Sequence, residues 1–323
     1  MTAARRRLAL AAQLLLTAAV VWFAGRTVAR QWNDVRRLVL DAHPSWPALA
    51  LSGVLVLATY ALLIDVWRAT LRSWGARLAF WEAAHVWTVS NLGKYVPGKV
   101  WQIGAMGMMA QRRGVSPVAA VGSALLLTVV NVLAGFAVVF ATGSRVLEVA
   151  DVDRRLVTLA AVATGVLGVS LIAAPALLPR IGVLAGRLLR RPVELPALPA
   201  RAVWLAIVGN VSAWLLYGLA FRVFTVAMTG AATGGWAGYT AVFTGSYLVG
   251  YLVLFAPAGI VFREAAMIAG LTKLGLATLP QATLLALTSR LWLTVLEIAP
   301  GALFLARAGS RHAFSNRPND GSP

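Results

Sequence analysis

The chain has 323 residues, of which 59% are hydrophobic and 12% charged, with a mean hydropathy of +0.77. That leaves too little polar surface to cover a water-soluble globule of this size, and the absence of period-two alternation argues against a barrel. The net charge of +18 lies in short basic segments beside apolar runs, so it reads as orientation signals and anionic-lipid contacts, with no nucleic acid as partner.

Residues 8–24 follow the triplet Arg5, Arg6, Arg7 and form a first apolar run, expected to be retained as a helix that starts in the cytoplasm. A second span begins near Ser45, a candidate cap, and Pro47, and runs to about Trp67, before Arg68, Arg72 and Arg77 mark a return to the cytoplasm. Further spans are expected at about 117–142, 156–178, 202–226 and 282–306, the first opened by Ser116-Pro117 and the last by Leu279-Pro280. The mixed-charge loop 143–155 is assigned outside and the arginine-rich loop 180–201 inside. Loop 26–43 should be external yet carries four arginines, and so runs against the rule. Trp22, Trp46, Trp67, Trp204 and Trp236 fall near span ends and read as interfacial anchors. Asn131 and Asn210 read as interhelical glue.

Two apolar regions, 80–111 and 236–274, are broken by proline and glycine, at "NLGKYVPGKVWQ" and "FAPAGIVFREAAM". Topology requires the first to enter and return on the cytoplasmic side and the second on the opposite side. That is the pattern of an inverted repeat with two re-entrant segments. Irregular backbone at membrane depth must find partners in protein or water, so such breaks line cavities, and the helix N-terminus after each break favours an anion. Lys94, Tyr95, Pro97, Gly98, Lys99 and Trp101 at the first break, and Pro257, Gly259, Arg263 and Glu264 at the second, are the candidate substrate-binding residues. Arg290 and Glu297, seven apart on one face of the last span, join them. A charge inside a span costs about 3 kcal/mol on insertion scales, so Arg290 needs a partner. Glu264 is the natural one, which leaves Arg263 for an anionic substrate; the pair has either a functional role or a purely structural one. Neither a paired-carboxylate cluster nor a metal site is evident, His43, His85 and His312 are scattered, and there is no cysteine. No catalytic residue, metal or cofactor is therefore expected.

"NLGKYVPGKVWQIG", "PAGIVFREAAMIAGL" and the arginine-bearing last helix resemble the flippase-like membrane region of the lysylphosphatidylglycerol synthase family, here without a synthase domain. The second motif keeps Pro257, Gly259, Arg263 and Glu264 but has Ala258 and Val261 where the family has glycines. The helix after the first motif has Thr128 and Asn131 where the family often carries an acid and an arginine. The resemblance implies a lipid translocator for an anionic phospholipid or a polyprenyl-phosphate-linked intermediate, with no aminoacyl transfer. The alternative is a membrane scaffold or accessory subunit for a glycosyltransferase or other lipid-modifying enzyme.

The expected fold is thus all-α: a polytopic membrane helix bundle over residues 1–306, with inverted repeats at about 45–178 and 202–306, and a disordered cytoplasmic tail over 307–323. The expected location is the inner (plasma) membrane, multi-pass, with a cytoplasmic N-terminus.

Overall fold

The computed structural model describes residues 44–95, 100–143, 154–189, 197–253 and 259–315, and among them the chain is all-helical. The first apolar run, 8–24, and most of the three loops used to argue orientation lie outside the described residues. The helices are α1 (Trp46–Ser73), α2 (Phe80–Asn91), α3 (Val100–Gln111), α4 (Pro117–Thr142), α5 (Arg154–Leu189), α6 (Ala200–Thr229), α7 (Trp236–Leu252), α8 (Phe262–Lys273) and α9 (Leu279–Ser315). A 3-10 turn, Leu92–Tyr95, follows α2. Five of these helices, α1, α4, α5, α6 and α9, are long and apolar enough to cross a membrane.

Local chemistry explains several boundaries. Ser116 caps α4 by accepting from Ala119 N–H, with Pro117 in the first turn where its missing donor costs nothing. Glu82 accepts from Ala79 N–H at 2.9 Å and so starts α2. Gly230 ends α6 in the left-handed region, φ 78°. Ser45 does not cap α1 as expected. Its side chain makes no cap bond; its backbone N–H instead donates to Ala227 of α6 at 2.9 Å. Two helices outrun the expectation. α5 continues through Pro175 and Pro179, and α9 continues to Ser315, so the tail expected from residue 307 is helical for its first part.

The centre of the bundle is α1 packed antiparallel on α6. Ser52 Oγ donates to Ala220 O at 2.9 Å, and the α1 and α6 axes approach closely because Gly209 faces Val66, where a Cβ would come within 2.2 Å of its neighbour; Gly218, where a Cβ would come within 2.1 Å of Thr240, does the same for α6 against α7. On one side, Ile64, Trp67 and Leu71 of α1 join Val86 of α2, Met106 and Ala110 of α3 and Ala119 of α4. On the other, Phe221 and Phe224 of α6 join Tyr239 and Phe243 of α7, Met267 and Leu271 of α8 and Leu285 of α9. Threonines inside the long helices donate to the carbonyl one turn back, as Thr59, Thr128 and Thr294 do at 2.8 Å, and so carry no unmet polar group into an apolar environment. α5 stands at the edge, with no buried residue in its apolar window.

The tryptophans divide. Trp46 is 71% exposed and Trp204 52%, as anchors should be, but Trp67 is fully buried. Its Nε1–H donates to Ser123 Oγ at 3.0 Å, which makes it a core residue joining α1 to α4. The sequence places it beside Arg68 at a span end, whereas the helix runs on to Ser73 and turns the indole inward.

Candidate functional site

The site is built at the start of α8. Gly259 has φ 66° and lies against Gly250 of α7 so closely that a Cβ there would come within 2.4 Å of the Gly250 carbonyl oxygen. Only glycine fits such a contact between backbones. Val261 follows with φ 76°, a conformation that costs a β-branched residue of order 1–3 kcal/mol and persists only where neighbours impose it. Glu264 is one of those neighbours. Its Oε2 accepts from Val261 N–H at 2.6 Å, and its Oε1 accepts from Arg290 Nη1 at 3.0 Å. One carboxylate thus ties the strained turn, the positive end of α8 and the first third of α9 together. Both side chains are largely buried, 17% exposed for Arg290 and 14% for Glu264. Arg290 lies roughly 16 Å along α9 at about 1.5 Å per residue, inside the apolar stretch Leu279–Phe304.

This fixes Arg263, the next-door residue, in place. Arg263 is 6% exposed, and its guanidinium sits over the rings of Phe243 at 5.5 Å and Tyr247 at 5.7 Å. Its Nε and Nη2 are buried with no hydrogen-bond partner among the described residues. Ring faces stabilise the charge but do not satisfy these two donors.

Arg263 lines a cavity of about 210 Å³ at the centre of the bundle, to which every helix but α5 contributes. Arg290 and Glu297 line the same space, and Glu297 is close enough to act electrostatically on Arg263. The opposite wall is uncharged. Asn91 at the end of α2 and Gln102 at the start of α3 reach into the cavity from either side of the first break, with Gln102 donating to Asn91 Oδ1. Thr128 and Asn131 of α4 stand beside them, and the Asn131 amide donates to Asn210 Oδ1 of α6 at 3.0 Å. The remaining wall is aromatic, including Trp87, Trp214, Tyr217 and Tyr247.

The expected residues therefore fall into three groups. Arg263, Arg290 and Glu297 meet at the cavity, and Glu264 is paired with Arg290 as anticipated. Gly259 shapes the turn without lining the space. Pro97, Gly98, Lys99 and Pro257 lie outside the described residues, and of Lys94, Tyr95 and Trp101 only the backbone is described, in the 3-10 turn and the first turn of α3. Among the described residues, no three His, Asp or Glu side chains are grouped to hold a metal ion. No family model matches this chain, and no curated protein is similar to it. The residues that sequence reasoning missed are the amide and aromatic lining, Asn91, Gln102, Trp87, Trp214 and Tyr217. The one signal for Asn91 and Gln102 was their position flanking the first Pro-Gly break.

Proposed function

We propose that the protein is a non-enzymatic lipid translocator of the flippase-like kind, which draws the phosphate of an anionic phospholipid or a polyprenyl-phosphate-linked lipid into the central cavity while the lipid tails stay in the bilayer. The observation that carries this reading is Arg263: a buried cation lining a cavity, with two unsatisfied donors. A phosphate oxygen would meet both donors in the fork geometry that guanidinium groups favour. The Glu264–Arg290 pair supports the reading because it uses up the neighbouring acid and leaves Arg263 available.

The inverted-repeat reading has its own support. Each half runs long helix, two short helices, long helix: α1 to α4, then α6 to α9. The first short helix of each half packs against the last long helix of the other, α2 on α9 and α7 on α4. That exchange is what a twofold relation between the halves requires. In this reading the short-helix pairs are the two re-entrant segments, in a multi-pass protein of the inner membrane.

A leaflet-reporter assay in proteoliposomes tests the function. Headgroup-labelled phosphatidylglycerol should exchange between leaflets in minutes with the wild-type protein, and Arg263→Gln should slow that exchange at least tenfold without altering its unfolding midpoint. Exchange no faster than in empty vesicles, or exchange indifferent to Arg263, would overturn the reading.

A further inference from the structure

A tyrosine inside an apolar helix bundle normally hands its hydroxyl to an acceptor, as Tyr239 of α7 does by donating to Thr233 O at 2.9 Å. Tyr217 of α6 and Tyr247 of α7 do not. Both line the central cavity, and neither hydroxyl has a hydrogen-bond partner among the described residues. The rings themselves are held from several sides. Tyr217 stacks on Phe243 at 5.7 Å and 25°, and meets Tyr60 at 6.3 Å and Trp214 at 6.0 Å. Tyr247 meets Trp214 edge-on at 5.3 Å, and Trp214 is itself fixed by donating to Asn131 O at 3.0 Å. Two idle donors are thus set in place beside open space, an arrangement that packing does not need and a ligand does.

Arg263 joins them because α7 and α8 touch at a glycine. Phe243 and Tyr247 are one turn apart on α7, and a Cβ on Gly250 would come within 2.9 Å of the Arg263 Cβ. That contact lays the guanidinium across the rings of Phe243 and Tyr247, with Tyr217 stacked on the same Phe243. The positive charge here is partly offset. Glu264 lies beside Arg263, and Glu297 of α9 is close enough to act on both Arg263 and Tyr217. An anion therefore gains less from charge than from directed hydrogen bonds. Phenol hydroxyls supply these without adding charge, so a bound anion can also leave.

We infer that Tyr217 and Tyr247 are phosphate-binding residues, which with Arg263 form a three-residue cradle for an oxyanion drawn from α6, α7 and α8. The inference rests on the lipid-translocator reading above and adds the side chains that fix the phosphate. A lipid headgroup and free phosphate offer the same oxygens, so the test has an arm for each.

Native mass spectrometry of the detergent-solubilised full chain is the test, with phosphatidic acid, diacylglycerol and inorganic phosphate as probes. The two lipids share their tails and differ in the phosphate. A change confined to phosphatidic acid reports the cradle, and a change in both reports lost packing. A hydrogen bond to a charged group is worth roughly tenfold in affinity. Tyr217→Phe and Tyr247→Phe keep the rings and remove one hydroxyl each, so each should weaken phosphatidic acid binding about tenfold and leave diacylglycerol binding unchanged. The inference is overturned if either variant leaves phosphatidic acid binding as it was, or lowers both lipids alike. Should Arg263→Gln abolish phosphatidic acid binding while the two phenylalanine variants do not alter it, the anion site stands and the cradle alone fails. Phosphatidic acid held no more tightly than diacylglycerol by the wild type removes the anion site and this inference with it. Inorganic phosphate that displaces phosphatidic acid at equal concentration keeps the cradle and overturns the lipid cargo.

Discussion

Removing Glu264 should damage the fold far more than removing the whole ion pair. Glu264→Ala leaves the largely buried Arg290 guanidinium without its 3.0 Å partner and leaves Val261 N–H, in a strained conformation, without its acceptor. Breaking a buried pair from one side costs about 3–5 kcal/mol, and loss of a cap adds about 1 kcal/mol. For a chain of this size roughly 2 °C of midpoint accompanies each kcal/mol, so a fall of about 8–12 °C is expected. Replacing both charges together, Glu264→Leu with Arg290→Leu, removes the stranded cation. Buried pairs exchanged for apolar groups are often neutral in stability, so only the cap should be missed, at about 2 °C. Glu264→Gln keeps an acceptor for Val261 and should fall between the two. The assay is thermal unfolding in detergent followed by size-exclusion fluorescence, arranged as a double-mutant cycle of Glu264→Leu, Arg290→Leu and the two combined. If the double replacement is as destabilising as the two single ones added together, the two side chains are not coupled and the account of the α8 tip is wrong.

Other consequences can be read by the same assay. Gly209→Ala should cost about 1–3 kcal/mol, because its Cβ would sit 2.2 Å from Val66 Cγ2, and Val66→Ala in the same chain should recover most of that loss; a failure of the second change to rescue the first would remove the close α1–α6 contact from the account. Trp67→Phe should destabilise by about 2 kcal/mol through the lost bond to Ser123 and the void left behind, whereas Trp46→Phe should change stability by less than about 0.5 kcal/mol. His85, on α2 outside the five long helices, stacks on Phe304 at 5.4 Å and accepts from Arg113 at 3.1 Å. Burial, and then the Arg113 charge, hold its imidazole below the ordinary histidine value. The unfolded chain therefore takes up the proton first, and the stability contributed by His85 is present above about pH 6.5 and lost as pH falls below it. The midpoint should drop on acidification through that range, and by less in His85→Gln; equal drops in both proteins would contradict the assignment.

The long helices were legible because an apolar run of sufficient length admits few structures in lipid, and the Ser116-Pro117 start of α4 was legible because capping and proline act locally. The Glu264–Arg290 pair was legible for a related reason: a charge inside an apolar span must find its opposite, and few candidates exist. Trp67 was misread because burial is a tertiary property. A tryptophan beside an arginine looks the same whether the helix stops there or continues one more turn. The α9 extension past residue 306 was missed because basic and polar composition was taken to end the helix, though arginine and alanine are both good helix formers. The uncharged wall was invisible for a deeper reason. An asparagine, glutamine or tryptophan in an apolar helix gives no sign in sequence of whether it faces another helix, lipid or a shared cavity, and Asn131 does two of these at once, bonding Asn210 while lining the space. Only the convergence of eight helices tells them apart.

The central claim is that Arg263 holds a lipid phosphate inside the bundle, and the lipids that co-purify with the protein test it most directly. Wild-type protein and Arg263→Gln, extracted identically and matched for unfolding midpoint, would be compared by lipid mass spectrometry against the bulk membrane. The account predicts a phosphate-bearing lipid enriched at least several-fold with the wild type and reduced to the bulk proportion in the variant. The same lipid profile in both proteins, or enrichment of a lipid with no phosphate, would contradict it.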